Sequence, residues 1–137
     1  MKQEIFDFIQ ATGYAVVSTV TPEGLPEAAL VAIAASPDLE LVFDTVDTTR
    51  KYANLMAKPS IALVVGFGNE KTVQYEGEAA APGGADLERY REIYFRRWPD
   101  GRDRLAWRGI VHFRVKPRWI RFSDYTRKAE PVRELTL

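Results

Sequence analysis

From Tyr14 to Ala80 the sequence keeps returning to one pattern: a short run rich in β-branched residues, then a tight-turn signal. Tyr14-Ala-Val-Val-Ser-Thr-Val20 reads as a strand, because branched side chains suit a pleated, half-buried surface. In Thr21-Pro-Glu-Gly24, Pro presets φ and Gly accepts the positive φ that ends many tight turns. A second strand is expected from about Leu25 to Ala35, Ser36-Pro-Asp38 turns again, and Leu39-Glu-Leu-Val-Phe43 gives a third. Connections this short join antiparallel neighbours, since a parallel pair needs a long crossover. An antiparallel meander follows.

The period changes after Asp47. Tyr52, Leu55 and Met56 fall at helical spacing, Asp47 or Thr48 can cap the start, and Pro59 halts a helix expected over Thr48–Lys58. Ile5, Phe6, Phe8 and Ile9 mark an earlier amphipathic helix that Gly13 would end. Ser60-Ile-Ala-Leu-Val-Val65 is apolar on both faces and should be a central strand; Lys71–Ala80 returns as the fifth. Leu87, Tyr90, Ile93, Tyr94 and Trp98 form one face of a further helix, with a charged, irregular stretch expected up to Arg108. Val111, Phe113 and Val115 then alternate with His112, Arg114 and Lys116, which places His112 on a polar, solvent-facing side. After Lys116-Pro-Arg118, Trp119–Ser123 forms a seventh strand or continues the sixth.

At 137 residues these elements make one domain, spanning 1–137. The class expected is mainly β (α+β): a six- to seven-stranded antiparallel barrel with two to three peripheral helices, closure hiding strand edges that the sequence does little to protect. The absence of cysteine removes disulfides, thiolate metal sites and thiol catalysis, and one histidine leaves little for a metal cluster, so no metal site is expected. The 19 Lys and Arg balance 19 Asp and Glu, so a nucleic-acid partner is not expected. A local cluster of Arg96, Arg97, Arg102 and Arg104 with Trp98 and Trp107 keeps a single-strand-binding barrel as a rival. No apolar run approaches the ~20 residues that span a bilayer, and Met1-Lys2-Gln3-Glu4 lacks signal-peptide features. A cytoplasmic protein with no membrane partner is expected.

Two segments could carry chemistry. Arg50-Lys51 opens the middle helix, where cations oppose the macrodipole at a cost of roughly 0.3–1 kcal/mol. Backbone N–H groups, the hydroxyls of Thr48 and Thr49, and two cations would suit a phosphate there; a solvated Arg-Lys pair is the plainer alternative. On the fifth strand Thr72, Gln74 and Glu76 share one face, and the Gln74 amide could read the edge of a heteroaromatic ring or simply face solvent.

Several strings, in order, resemble the FMN-binding split β-barrel family of pyridoxamine 5′-phosphate oxidase-like proteins. They are Ala15-Val-Val-Ser-Thr-Val-Thr-Pro-Glu-Gly-Leu-Pro26, Leu41-Val-Phe-Asp-Thr45, Thr49-Arg-Lys-Tyr-Ala-Asn-Leu55, Ser60-Ile-Ala-Leu-Val-Val65 and Val73-Gln-Tyr-Glu-Gly-Glu-Ala79. Phe113-Arg-Val-Lys-Pro-Arg-Trp119 and Arg121-Phe-Ser-Asp-Tyr125 resemble its ending. The resemblance implies a homodimer with FMN at the subunit interface, the phosphate gripped by Thr49, Arg50 and Lys51 with Thr45 nearby. It also implies that Thr72 and Gln74 approach the isoalloxazine ring and that Trp107 can reach a flavin across the dimer. The activity implied is that of an FMN-dependent oxidoreductase on an undefined small molecule, with no catalytic acid or base nominated. Deazaflavin F420 and, behind it, haem are the cofactor alternatives, and non-catalytic flavin binding is the functional one. Where the oxidase proper carries an Arg and a Lys for cofactor and substrate phosphate, an ungapped count reaches Ala29 and Ala34. The chain also ends Arg133-Glu-Leu-Thr-Leu137, without the family's terminal substrate motif, so vitamin B6 oxidation is not expected.

Overall fold

A computed structural model of the chain describes all residues 1–137. Helix α1 (Lys2–Thr12) leads into strands β1 (Tyr14–Val20), β2 (Pro26–Ala32), β3 (Ala34–Ala35) and β4 (Leu41–Val46). Helix α2 (Arg50–Ala57), strands β5 (Ser60–Gly68) and β6 (Lys71–Ala80) and helix α3 (Gly84–Arg97) follow. A 3-10 helix (Pro99–Ala106) and strands β7 (Ile110–Asp124) and β8 (Val132–Thr136) complete the chain. All strand pairs are antiparallel, in the order β2-β1-β5-β6-β7-β4-β3, with β8 added to β7. The expected mainly β split barrel with peripheral helices is the fold observed.

Its closure rests on one residue. The outermost strands of that path, β2 and β3, are separated in sequence only by Ile33, so the chain itself joins the two edges of the curled sheet. This is why the single strand expected over Leu25–Ala35 is two. Ile33 N–H donates to the Gly13 carbonyl at 2.8 Å, and its carbonyl accepts Trp98 Nε1–H at 2.9 Å, so the seam keeps its backbone bonds without a ladder.

Period-two alternation fills the interior. Ala15 and Val17, Leu41 and Phe43, Ile61, Leu63 and Val65, Val73 and Tyr75, and Phe113 and Val115 point inward, and Ile5 and Ile9 of α1 pack into the same core. Tyr75 is fully buried, and its hydroxyl donates to the Leu39 carbonyl at 2.7 Å, which satisfies the one polar atom it brings inside. Strand β5 is central, as expected, yet its second apolar row is uncovered: Ala62 and Val64 face outward and are exposed.

The remaining differences have local causes. Strand β4 starts at Leu41 because Leu39 turns with φ of 66°. The Lys116-Pro-Arg118 interruption is a β-bulge inside one 15-residue strand: Pro117 has no N–H to give, and the β6–β7 register shifts between Glu76 and Gly77. Gly77 lies so close to the Lys116 carbonyl that no side chain fits there. The stretch expected to be irregular is the 3-10 helix, and β8 was not expected.

His112 needs the largest correction. Strand parity does point it away from the barrel interior, but α3 lies over that face, and His112 is 2% exposed. Tyr94 and Phe95 meet its ring edge-on at 5.8 and 5.7 Å, beside a small second core made with Ala34, Val42 and Tyr90. No helix is long and apolar enough to cross a membrane.

Candidate anion and ring site at the start of helix α2

Helix α2 has only two turns, too few to stand alone in water, so its position comes from its attachments. Leu55 is buried in the main core, and Tyr52 packs against it with its ring 6.1 Å from Phe113. Thr49 is the N-cap: its hydroxyl oxygen accepts Tyr52 N–H at 3.4 Å and donates to the Val46 carbonyl at 3.0 Å. That donation uses the only hydroxyl hydrogen of Thr49, so across the 2.9 Å Thr45–Thr49 contact Thr45 is the donor. Thr45 thereby keeps acceptor capacity at the end of β4, whereas the Thr49 side chain is committed to the cap.

The two cations that follow differ sharply. Arg50 is largely exposed, and its Nη1 pairs with Glu27 Oε2 on β2 at 2.9 Å. The other Glu27 oxygen accepts Asn54 Nδ2–H at 2.8 Å, and the same amide donates to Thr19 Oγ1 on β1 at 3.0 Å. Asn54 and Thr19 are both buried, so this chain is anchored at its inner end. Lys51 has neither an ion pair nor a hydrogen bond, and partial burial moves its ammonium pKa down.

Lys51 stands between two concavities. A cavity of about 100 Å³ is lined by Val17, Thr19, Glu27, Ala28, Ala29, Arg50 and Lys51. A larger one of about 340 Å³ runs from Lys51 and Thr45 along Leu30, Val31 and Ala32 of the outer strand to Tyr14 and Trp98. Tyr14 and Trp98 meet edge to face at 5.1 Å. Asp44, Tyr94, Asp100 and Arg104 close the far wall. Arg104 Nε donates to Asp44 Oδ2 at 2.7 Å, Nη1 to Asp100 at 3.2 Å and Nη2 to the Tyr94 hydroxyl at 3.1 Å. Burial raises the Tyr94 hydroxyl pKa to about 12, with the Asp44 carboxylate adding to the shift, so at neutral pH it is a proton-bearing wall and no base. The hydrogen bond to Asp44 holds Arg104 charged beyond any ordinary pH.

Of the residues singled out in the sequence, Thr45, Thr49, Arg50 and Lys51 come together here. Gln74 does not: it is exposed on the outer sheet face and lines a separate cavity with Val16, Ser18, Ala62, Val64 and Glu76. Thr72 is half-buried on that same outer row of β6. Trp107 is exposed, two residues before Gly109, and borders neither concavity that Lys51 shares. At Gly109, with φ of 79°, the Asp47 carboxylate occupies the space a Cβ would need. Sequence reading missed Glu27, Asn54, Asp44 and Arg104. Asp44 lay inside a quoted string and Arg104 inside the basic cluster, but their pairing across 60 positions has no local signature. Two arginines of the basic cluster are ion-paired, Arg102 with Glu92 and Arg104 with Asp44 and Asp100, and Arg97 donates to the Gln10 carbonyl. No group of three or more potential metal ligands is assembled.

The sequence profile of the pyridoxamine 5′-phosphate oxidase family matches residues 1–123. A comparison with curated proteins gives no match. Among solved structures, the chain is similar to a heme binding protein from Mycobacterium smegmatis, with a TM-score of 0.83 and 19% identity, covering 99% of this chain and 58% of that one. It is also similar to General Stress Protein 26 from Bacillus anthracis, with a TM-score of 0.74 and 21% identity over 99% of this chain and 98% of that one. A third is HutZ, the heme storage protein from Vibrio cholerae, with a TM-score of 0.70 and 18% identity over 84% and 88%. At these identities the likeness is one of fold.

Proposed function

The chain belongs to the pyridoxamine 5′-phosphate oxidase family, and from that premise we propose that it binds flavin mononucleotide at the start of α2 and works as an FMN-dependent oxidoreductase. The observation that carries this reading is Lys51: an unpaired, half-buried ammonium placed between a small polar hollow and a larger one with an aromatic end. A desolvated cation without a partner is costly, and a phosphate would relieve that cost. Arg50 borders the smaller hollow and the free acceptor side of Thr45 the larger, where Leu30, Val31, Tyr14 and Trp98 offer apolar surface suited to a planar ring. The residues present therefore fit the cofactor. Bound FMN would supply the electron-transfer chemistry; the protein's part is to hold the phosphate, exclude water from the ring and keep Tyr94 protonated beside it.

Gln74 and Thr72 enter this reading only through a second copy. They lie on the outer sheet face, away from Lys51, so one ligand could meet Lys51 and a Gln74 only if two chains pack together. Leu30 at 64% exposed, with Val64 and Tyr14, gives the apolar surface that a homodimer would cover. We propose that dimer with the cofactor at its interface.

The substrate is not proposed to be a vitamin B6 phosphate, because β2 places Ala28 and Ala29 in the smaller hollow and contributes no cation. Haem is disfavoured by His112: both ring nitrogens are buried under α3 without partners, so coordination would require α3 to lift. Titrating the purified protein with FMN, F420 and haemin separates these readings. The proposal expects a saturable flavin spectral shift with FMN; no uptake of FMN, or spectral binding of haemin alone, would overturn it.

A further inference from the structure

The hollow proposed to take a phosphate already contains a carboxylate. Glu27 lines it, one oxygen 2.9 Å from Arg50 Nη1 and the other fixed by the buried Asn54 amide, itself bonded to Thr19. We infer that Glu27 is a built-in competitor: it occupies the Arg50 guanidinium in the ligand-free chain and lowers the affinity of this hollow for phosphate monoesters. This rests on the reading of the hollow as a phosphate site, though not on the identity of the phosphate's owner.

The argument is one of geometry and charge. Arg50 is the more exposed partner, its side chain at 73%, whereas Glu27, at 20%, is held from its inner side by Asn54. An entering phosphate can draw Arg50 away, but the carboxylate cannot follow it out. Glu27 then remains beside the new anion, and like charges confined in one hollow repel. The hollow's two cations and one carboxylate leave a single net positive charge, so Lys51 carries most of the attraction and Arg50 is available only against its internal partner. Glu27 thus tunes how tightly an anion is kept in this hollow.

The test compares wild type, Glu27→Gln, Arg50→Ala and the double variant, with FMN and riboflavin followed by flavin fluorescence and inorganic phosphate followed by thermal stabilisation. Gln keeps an oxygen for the Asn54 amide, so the packing is retained; Glu27→Ala serves as the second variant if Gln disturbs folding by circular dichroism. E27Q should bind FMN and phosphate about tenfold more tightly than wild type, leave riboflavin affinity unchanged, and show a clearly smaller gain in the Arg50→Ala background, where only the direct repulsion is left to remove. Equal or weaker anion binding by both Glu27 variants, or a gain undiminished without Arg50, would overturn the inference. Tighter phosphate with no FMN uptake by any form would uphold Glu27 as competitor and reject the flavin reading. No binding of either anion by any form would reject both.

Discussion

Arg104 Nε donates to Asp44 Oδ2 at 2.7 Å, and this pair ties the 3-10 helix to barrel strand β4 at the wall of the larger cavity. Both side chains are mostly buried, at 21% and 14% exposed. Breaking such a pair from one side leaves the other charge stranded. Arg104→Leu should therefore destabilise the fold by about 2 kcal/mol in urea unfolding at neutral pH. Arg104→Lys should restore only part of this, since an ammonium cannot fork to Asp44, Asp100 and Tyr94 together. A leucine variant as stable as wild type would show that the wall does not depend on the pair.

Thr49 is read as a helix cap more than as a phosphate ligand, because both its donor and acceptor functions are already used. Thr49→Ala should lower stability by about 1 kcal/mol, and Thr49→Ser should retain most of it, as followed by thermal unfolding. In ligand titrations the serine variant should match wild type.

Burial lowers the His112 pKa, with Arg91 and Arg104 adding to the shift and Asp44 and Glu88 opposing it. A base whose folded pKa lies below its unfolded value binds fewer protons when folded, so acid favours the unfolded chain. Stability should fall as pH drops below about 6.5, the ordinary histidine value. His112→Phe, which suits the Tyr94 and Phe95 surround, should flatten that part of the pH–stability curve. Parallel curves for the two proteins between pH 7 and 5 would contradict this.

Gly77 faces the Lys116 carbonyl across the bulge that Pro117 imposes. Gly77→Ala should cost about 3 kcal/mol or more, as backbone must move to admit a methyl group. Gly68→Ala, where a Cβ meets open space, is the control expected to stay near wild type.

What the sequence discloses follows from how local each signal is. Strands β1, β5 and β6 were legible because β-branched runs and turn tetrapeptides are short-range features. Even the orientation of His112 was legible from parity, but the helix that covers it contributes Tyr94 from 18 positions earlier, and burial is not a property of the strand alone. The split at Ile33 was invisible for the same reason: it depends on which strands lie at the ends of the finished sheet. Strand β8 has only five residues, with Arg and Glu at its centre, and forms because β7 offers an open edge. In the candidate site, Arg50 and Lys51 stood out as cations at a helix start. Their unequal status did not, because Glu27 reaches Arg50 from another strand while nothing reaches Lys51.

The central claim is that Lys51, aided by Arg50, holds the phosphate of a flavin nucleotide. FMN and riboflavin differ only in that phosphate, so the ratio of their dissociation constants isolates the interaction. Wild type should favour FMN by about a hundredfold, as expected of two charge-assisted contacts, and Lys51→Ala should collapse most of the ratio while Arg50→Ala collapses less. Equal affinities for FMN and riboflavin in wild type, or a ratio untouched by Lys51→Ala, would contradict the account.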